Sequence, residues 1–238
     1  MTDYVDLHSH TLASGHAYNT IMEMASAAKD KNLKIYGITE HGPMMPGTCS
    51  ELYFLNYKAV DRSVFPVELL LGVELNILDS NGKVDLKNDL LKRQDVTIAS
   101  LHVPTIKGLD KDGYTSAIVN AMKNPLINYI GHPDDGRFPI DYKAIVDASK
   151  ETGTLLEVNN SSLLPNAPRK GARENYEILL KLCREKNVPV VMGSDAHFCT
   201  AVGEHSMAEQ LIKETDFPVE LVLNYFPEKL KKYLNKYK

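Results

Sequence analysis

Residues 67 to 77 read Val67-Glu68-Leu69-Leu70-Leu71-Gly72-Val73-Glu74-Leu75-Asn76-Ile77. The apolar, β-forming run up to Val73 reads as a strand, and it closes on a glutamate that is costly to bury without a cation or hydrogen bonds. Six more short runs of this kind recur along the chain: Tyr4 to His8, Lys34 to Thr39, Val96 to His102, Ile127 to Gly131, Leu155 to Asn159 and Val188 to Gly193. Amphipathic helical stretches separate them, which is the pattern of a parallel sheet with helical crossovers. Seven strands are enough to close a barrel, so the expected class is α/β, with residues 1–238 as one domain.

Local signals punctuate this pattern. Asn19 is placed to cap a helix running to Lys31, Asn124-Pro125 ends one beginning near Tyr114, and Asp141 to Glu151 closes on Gly153. Asp79-Ser80-Asn81-Gly82 carries the Asn-Gly signal of a tight turn, so the third strand is expected to fold back as a hairpin. Pro227 to Lys238 spaces Leu230, Tyr233, Leu234 and Tyr237 along one face, as a packed terminal helix would.

The composition is that of a globular chain, with 43% hydrophobic and 24% charged residues. A net charge of −4 gives no global basic field for gripping nucleic acid, so that partner is not expected. No signal peptide or long apolar span is visible, so the expectation is a cytoplasmic protein without a membrane partner, in which homo-oligomers are allowed. Cys49, Cys183 and Cys199 lack a C-x-x-C spacing and read as reduced thiols.

The histidines fall in a pattern. His8, His10, His41, His102, His132 and His197 each lie at or just beyond the C-terminal end of an expected strand. In parallel α/β barrels those ends form one pole, so the imidazoles are expected to meet. Asp6, His8 and His10 share strand parity, which would let His8 and His10 clamp one ion while Asp6 fixes a ligand tautomer or sits as a satisfied interior acid. His16 follows in a loop that Ser14 and Gly15 let turn back over the mouth, and Asp195 and His197 repeat the two-residue spacing after the last strand. His205 has no place in this set and reads as structural or exposed, and Cys199 as packing.

Imidazoles and carboxylates without thiolates suit zinc, manganese or ferrous iron. Nine candidates, namely His8, His10, His16, His41, Glu74, His102, His132, Asp195 and His197, exceed what one catalytic ion takes, so two or three ions sharing a bridging carboxylate are expected.

The segments Asp6-Leu7-His8-Ser9-His10-Thr11, His16-Ala17-Tyr18, Ile38-Thr39-Glu40-His41-Gly42, Gly72-Val73-Glu74, His102, His132-Pro133, Glu157 to Ser162 and Gly193-Ser194-Asp195-Ala196-His197 resemble, in order and spacing, those of the PHP (polymerase and histidinol phosphatase) family, most closely its small bacterial YcdX-type phosphatases. The resemblance implies a distorted seven-stranded TIM-like (β/α)7 barrel with three divalent ions at the C-terminal pole, zinc foremost, with manganese or iron as alternatives. It further implies that His8, His10, Glu74 and Asp195 hold one ion, His16, His41 and His197 a second, and Glu74, His102 and His132 the third. Glu40 stands where many relatives carry aspartate, and by parity it points away from His41.

The chemistry expected of such a site is phosphomonoester hydrolysis through a metal-bridging hydroxide, on a small phosphorylated metabolite or nucleotide, with Glu74, Asp195 and Arg169 as the catalytic set. Arg169 is the favoured phosphate contact, with Lys170, Arg173 and Arg137 as rivals, and Asn159 and Asn160 are placed to orient substrate or cap a helix. The competing expectations are a histidinol-phosphate phosphatase and a non-catalytic metal-binding module of a nucleic-acid-processing assembly. An amide or lactone hydrolase is disfavoured because no lysine sits at a convincing strand end.

Overall fold

The computed structural model describes residues 3–238. All seven expected strands form: β1 (Val5–Asp6), β2 (Ile35–His41), β3 (Glu68–Asn76), β4 (Thr97–Ser100), β5 (Tyr129–Ile130), β6 (Leu155–Asn159) and β7 (Val190–Gly193). They join in one parallel sheet whose spatial order is the chain order, curled into a nearly closed barrel with helices around it. The β2–β3 register runs from Ile35 opposite Glu68 to His41 opposite Glu74, so two candidate ligands end adjacent strands side by side.

Two apolar clusters hold the barrel. The larger lies between strands and helices, where outward residues such as Tyr36, Leu71 and Val73 meet Met24, Ala117 and Leu179. The smaller fills the interior with Val5, Leu7, Ile35, Leu70, Ile98, Tyr129, Leu155 and Val191, and Leu223, Leu230 and Leu234 from the C-terminal segment complete it. That segment is not the single helix its spacing suggests. It forms a turn of helix at Pro227–Leu230 and 3-10 turns at Lys231–Tyr233 and Asn235–Tyr237. The reason is tertiary: Asn128 Nδ2 donates to the Tyr233 carbonyl (2.8 Å) and to Asn235 Oδ1 (2.9 Å), and Leu234 is drawn into extended backbone between them.

Other boundaries shift for equally local reasons. Thr20, not Asn19, caps the helix Ile21–Asp30, in a reciprocal capping box with Glu23. Asn19 instead accepts from the Cys199 amide (2.8 Å) and ties the first loop to the last. The helix ending before Asn124 begins at Lys111, capped by Asp110. Asp141 and Gly153 do close the helix Tyr142–Thr152 at its two ends. Gly82 (φ 75°) turns the expected hairpin, which pairs Ile77 with Val84.

The seam between β1 and β7 is closed by side chains as much as by backbone. A single parallel bridge joins Ser9 to Ala196 at the C-terminal end. Nearer the other end, the fully buried Asn224 amide donates to the carbonyls of Val5 (2.8 Å) and Met192 (2.9 Å) and accepts from the Met192 amide (2.7 Å), standing in for a missing strand. Removing a buried partner leaves such groups unsatisfied at a cost of roughly 1–3 kcal/mol each. Asn224→Ala is therefore expected to lower unfolding stability by about 3 kcal/mol in urea titration. A change smaller than about 0.5 kcal/mol would show that water replaces the amide without penalty.

Asp6 reinforces the same seam. Its carboxylate accepts from Ser194 Oγ (2.5 Å), from the Gly203 amide (2.8 Å) and from the amides of Ser194 (3.2 Å) and His8 (3.3 Å). It is thus a satisfied acid that touches no ligand imidazole, because regular β1 geometry stops at Asp6 and the alternation does not continue to His8. His205, buried beside it, contacts Asp3 through Nδ1 and lies 3.6 Å from Asp6 through Nε2. Burial opposes its charge, but the two carboxylates outweigh that and push its pKa up to about 10.

A histidine whose pKa rises on folding stabilises the fold fully below its unfolded value near 6.5, and that contribution is lost as pH climbs through the folded value. The stability advantage of the native protein over His205→Gln is therefore expected to be greatest near pH 6 and to shrink toward pH 10. Chemical denaturation of both proteins across that window measures it, and a constant gap would assign the contact to neutral hydrogen bonding.

Candidate metal centre

Along four strands the inward positions turn from apolar to polar toward the C-terminal end: Leu70-Gly72-Glu74-Asn76 on β3, Ile98-Ser100-His102 from β4, Leu155-Glu157-Asn159 on β6 and Val191-Gly193-Asp195 from β7. Apolar rungs build the lower barrel, and polar rungs converge at the mouth. Glu74 stands at the centre, fully buried. Its Oε1 lies 2.8 Å from His132 Nε2, 3.2 Å from His102 Nε2 and 3.4 Å from His8 Nε2, while Oε2 lies 2.7 Å from His41 Nδ1 and 3.5 Å from His10 Nε2.

Asp195 faces the same space from the seam side, 3.4 Å from His10 Nε2 and 3.7 Å from His8 Nε2. His10, His16, His41 and His197 form a stack of rings with centroids 4.2 to 4.9 Å apart along its sides. His16 is the exposed member, delivered by Gly15, whose φ of 82° and close approach to the Gly47 carbonyl leave no room for a side chain. All nine residues singled out in the sequence thus lie in one contiguous cluster. Donor atoms of His8, His10 and Glu74, of His8, His132 and Asp195, of His10, His41 and His197, and of His41, Glu74 and His102 each fall within 4.8 Å of one another.

Apart from His132 Nε2, which pairs with Glu74 Oε1, the buried imidazole nitrogens facing Glu74 lack hydrogen-bond partners. His8 Nε2, His10 Nε2, His41 Nδ1 and His102 Nε2 are buried without one, as are His132 Nδ1 and Glu74 Oε2. Leaving buried polar atoms unpaired is expensive, and a group of them aimed at one space is the signature of a cation site. The cluster is able to bind metal ions.

A profile of the PHP domain matches residues 6–216. The chain belongs to the PHP family. It is 40% identical over 230 residues to a probable phosphatase of Clostridium novyi, covering 97% of this chain and 93% of that one. It is 44% identical over 233 residues to a probable phosphatase of Caldicellulosiruptor saccharolyticus, covering 97% and 95%. Relatedness this extensive makes it a PHP-type phosphatase. In fold it is similar to a histidinol phosphate phosphatase from Lactococcus lactis solved with zinc, L-histidinol and phosphate, at a TM-score of 0.62 and 17% identity over 91% of this chain and 95% of that one. A chain of an archaeal ribonuclease P complex with mature tRNA shares the fold at a TM-score of 0.58 and 14% identity, over 96% and 90%.

Behind the inward nitrogens of this PHP cluster stands a layer that the sequence reading did not assign. His8 Nδ1 donates to Glu157 Oε1 (2.7 Å), which leaves the Nε2 lone pair facing Glu74. His10 Nδ1 lies 3.0 Å from Ser14 Oγ, and because that hydroxyl donates to Glu40 Oε2 (2.6 Å), the imidazole must be the donor. His102 Nδ1 meets Asn76 Oδ1 (2.8 Å), an orientation fixed by the Asn76 amide donating to Asp85 (2.6 Å). In each case the outer contact selects the tautomer that points a lone pair inward. Glu40 does point away from His41, and its task is to hold Ser14 and Thr11. Glu157 had the clearest unread signal, an acid inside the apolar run Leu155 to Val158, just as Glu74 stands out in its own strand.

The electrostatics follow from the packing. Burial alone would neutralise Glu74, yet His102, His8 and His41 hold it well below the usual carboxylate range. Burial likewise opposes charge on His8, but Glu157, Glu74 and Asp195 raise it well above an ordinary imidazole, so that without a cation Nε2 takes up the proton that a metal ion would displace. Burial drives His10 well below 6.5, and the neighbouring His41 and His197 add to this. Two members sit in left-handed backbone, His132 (φ 31°) and Asp195 (φ 54°), a conformation that costs non-glycine residues of order 1 kcal/mol and persists where surroundings enforce it.

Among the basic candidates, Arg169 reaches the cluster. Its Nη2 donates to Asp195 Oδ2 (2.9 Å) and its Nη1 to Ser162 Oγ (3.1 Å) and Asn159 Oδ1 (3.2 Å). Lys170 is exposed, Arg137 lies on Asp135, and Arg173 pairs with Glu214 and Glu177 on the outer surface. Asn159 also donates to Glu157 (3.1 Å) and Asp195 (3.3 Å), linking the two layers. Asn160 accepts from the Met207 and Ala208 amides, so it caps the helix Ser206–Glu214. Cys199 belongs to none of the donor groups. No helix among the described residues is long and apolar enough to cross a membrane.

Proposed function

We propose that this protein is a metal-dependent phosphomonoesterase for a small phosphorylated metabolite or nucleotide, with His8, His10, Glu74 and Asp195 holding one divalent ion, His16, His41 and His197 a second, and Glu74, His102 and His132 a third. The observation that carries the reading is the convergence of four unpartnered buried nitrogens, from His8, His10, His41 and His102, on one carboxylate. A histidine-rich, thiolate-free donor set favours zinc, with manganese or iron as alternatives. The relatives named probable phosphatases and the zinc, L-histidinol and phosphate of the Lactococcus lactis structure support it.

Bound divalent ions at such a site supply an activated water near neutral pH and neutralise charge on a transferring phosphoryl group. The chain's own contribution is placement. Glu74 spans the donor sets, and its carboxylate, held charged by the imidazoles around it, would serve ions on either side. Arg169 holds Asp195 through one guanidinium edge, and its charge at the mouth complements a phosphate brought beside it. Glu157, Ser14 and Asn76 fix the imidazole tautomers before substrate arrives, so no reorganisation is required during turnover.

Metal analysis of protein purified without chelator, followed by a phosphomonoester panel that includes histidinol phosphate, tests this directly. Stripping with a strong chelator is expected to reduce kcat by about a hundredfold or more, and adding back zinc or manganese to restore it. Turnover that survives complete removal of metal would refute the reading.

A further inference from the structure

Around the donor cluster, exposed apolar side chains follow the histidines at short intervals: Leu12 after His10, Tyr18 after His16, Met44 after His41, Val103 after His102 and Phe198 after His197. Tyr18 is 71% and Phe198 48% exposed, and the Tyr18 amide donates to the His197 carbonyl (3.1 Å), so the two aromatics flank the same side of the mouth. The stretches next to these histidines lack Asp, Glu, Lys and Arg except for Asp195, the first cations along their loops being Lys107 and the Arg169–Lys170 pair. Residues 7–20, 42–50, 101–106 and 160–168 contain no Asp, Glu, Lys or Arg, and residues 194–203 contain only the buried Asp195.

The acids that do reach this pole are buried or bonded to neighbouring groups. Asp134 and Asp135 are buried, with Asp135 on Arg137. Asp85 receives the Met44 amide and the Asn76 side chain. An ammonium-bearing leaving group would find no carboxylate in these stretches, and a second phosphate or carboxylate would meet cations only farther along the loops, at Lys107 and Lys170.

Resting on the phosphatase reading above, we propose that the rim is the leaving-group subsite and selects phosphomonoesters of neutral alcohols with an apolar or aromatic body, with Tyr18 and Phe198 as the specificity-determining side chains. A flat, uncharged group laid against two aromatic faces gains contact area without desolvating a charge. Neutral aromatic esters, nucleoside monophosphates included, match this rim; amino-alcohol phosphates and sugar bisphosphates do not.

The test compares ethyl phosphate, 2-phenylethyl phosphate and 2-aminoethyl phosphate on full-length, metal-loaded protein, because all three release alkyl alcohols and differ mainly in what the rim meets. The native protein is expected to favour 2-phenylethyl over ethyl phosphate in kcat/KM by about tenfold and to show no preference for the amino ester. That phenyl-to-ethyl ratio is expected to fall about threefold in Tyr18→Ser and in Phe198→Ser and to persist in Tyr18→Phe. Each ratio is internal to one variant, so a general loss of activity or folding does not imitate the effect. A preference for 2-aminoethyl phosphate, or a ratio unmoved by both serine variants, would overturn the proposal. So would a change of oligomeric state in Tyr18→Ser by sedimentation, which would make the rim a contact between copies of this chain. Failure of the metal-loaded native protein to hydrolyse any of the three would instead count against the phosphatase reading.

Discussion

Glu74→Gln is expected to lower kcat/KM for phosphomonoesters by about a thousandfold, equivalent to roughly 4 kcal/mol at the barrier, and to reduce bound metal in the same preparation. The substitution is nearly isosteric, so packing is retained. What it removes is a negative charge that five imidazoles approach within 3.5 Å and that no other carboxylate replaces at the centre of the cluster. An amide also turns N–H groups toward imidazole lone pairs that would otherwise share a cation with the carboxylate. His102→Ala should move metal content and activity in the same direction, whereas His205→Ala should leave both while lowering stability. Metal analysis and hydrolysis on the three purified proteins decide it. Full metal content in Glu74→Gln would remove Glu74 from the ligand set.

The second large effect is expected at Glu157, which touches no reacting atom. Its Oε1 accepts from His8 Nδ1, and its Oε2 accepts from the His132 amide (2.7 Å) and from Asn159. Both oxygens are therefore acceptors, a demand that only a carboxylate meets. In Glu157→Gln the amide either opposes its NH2 to the His132 N–H or turns it toward His8. The latter forces the His8 proton onto Nε2, where it blocks the lone pair that faces Glu74. Losses of about 10- to 100-fold in metal affinity or activity are typical of such outer contacts. Zinc titration against a competing chelator, with nitrogen NMR of the His8 tautomer, measures both consequences. Unchanged affinity would mean that His8 is held by the metal alone. Gly193 belongs to the same arrangement, since a β-carbon there would lie 2.1 Å from Glu157 Oε1 and 3.0 Å from His8 Cβ.

The parts of this molecule written in short-range pattern were readable from sequence. Seven apolar runs gave seven strands, and histidines at strand ends gave a cluster, because a parallel barrel converts position along a strand into position along its axis. The parts that depend on side chains meeting from distant segments were not. The second layer behind the histidines draws on Ser14, Glu40, Asn76 and Asp85, each unremarkable in its own neighbourhood. Of the two readings of Asp6, the partner of a ligand imidazole fails because β1 ends at that residue, and the satisfied acid holds. Apolar spacing predicts a terminal helix, which Asn128, just before β5, overrides by bonding to Tyr233 and Asn235. His205 reads from sequence as structural or exposed, and what makes it structural is out of sight there, because both of its acids lie some 200 positions away, at 202 for Asp3.

The seam has one further consequence, for the order in which the chain acquires its structure. Neighbouring strands elsewhere in the barrel are also neighbours in sequence, so each closes a modest loop. The contact between Ser194 and Asp6 closes one of 188 residues, and that between Asn224 and Val5 one of 219. Loop-closure entropy and the slow formation of non-local pairings make this the last junction to zip. His8 and His10 stand on one bank of it, Asp195 and His197 on the other. A nascent or partly folded chain thus carries most of its imidazoles on an open sheet, with no enclosed centre. The complete donor set comes into being only when the first and last strands join, so the capacity for chemistry is the final property that folding confers.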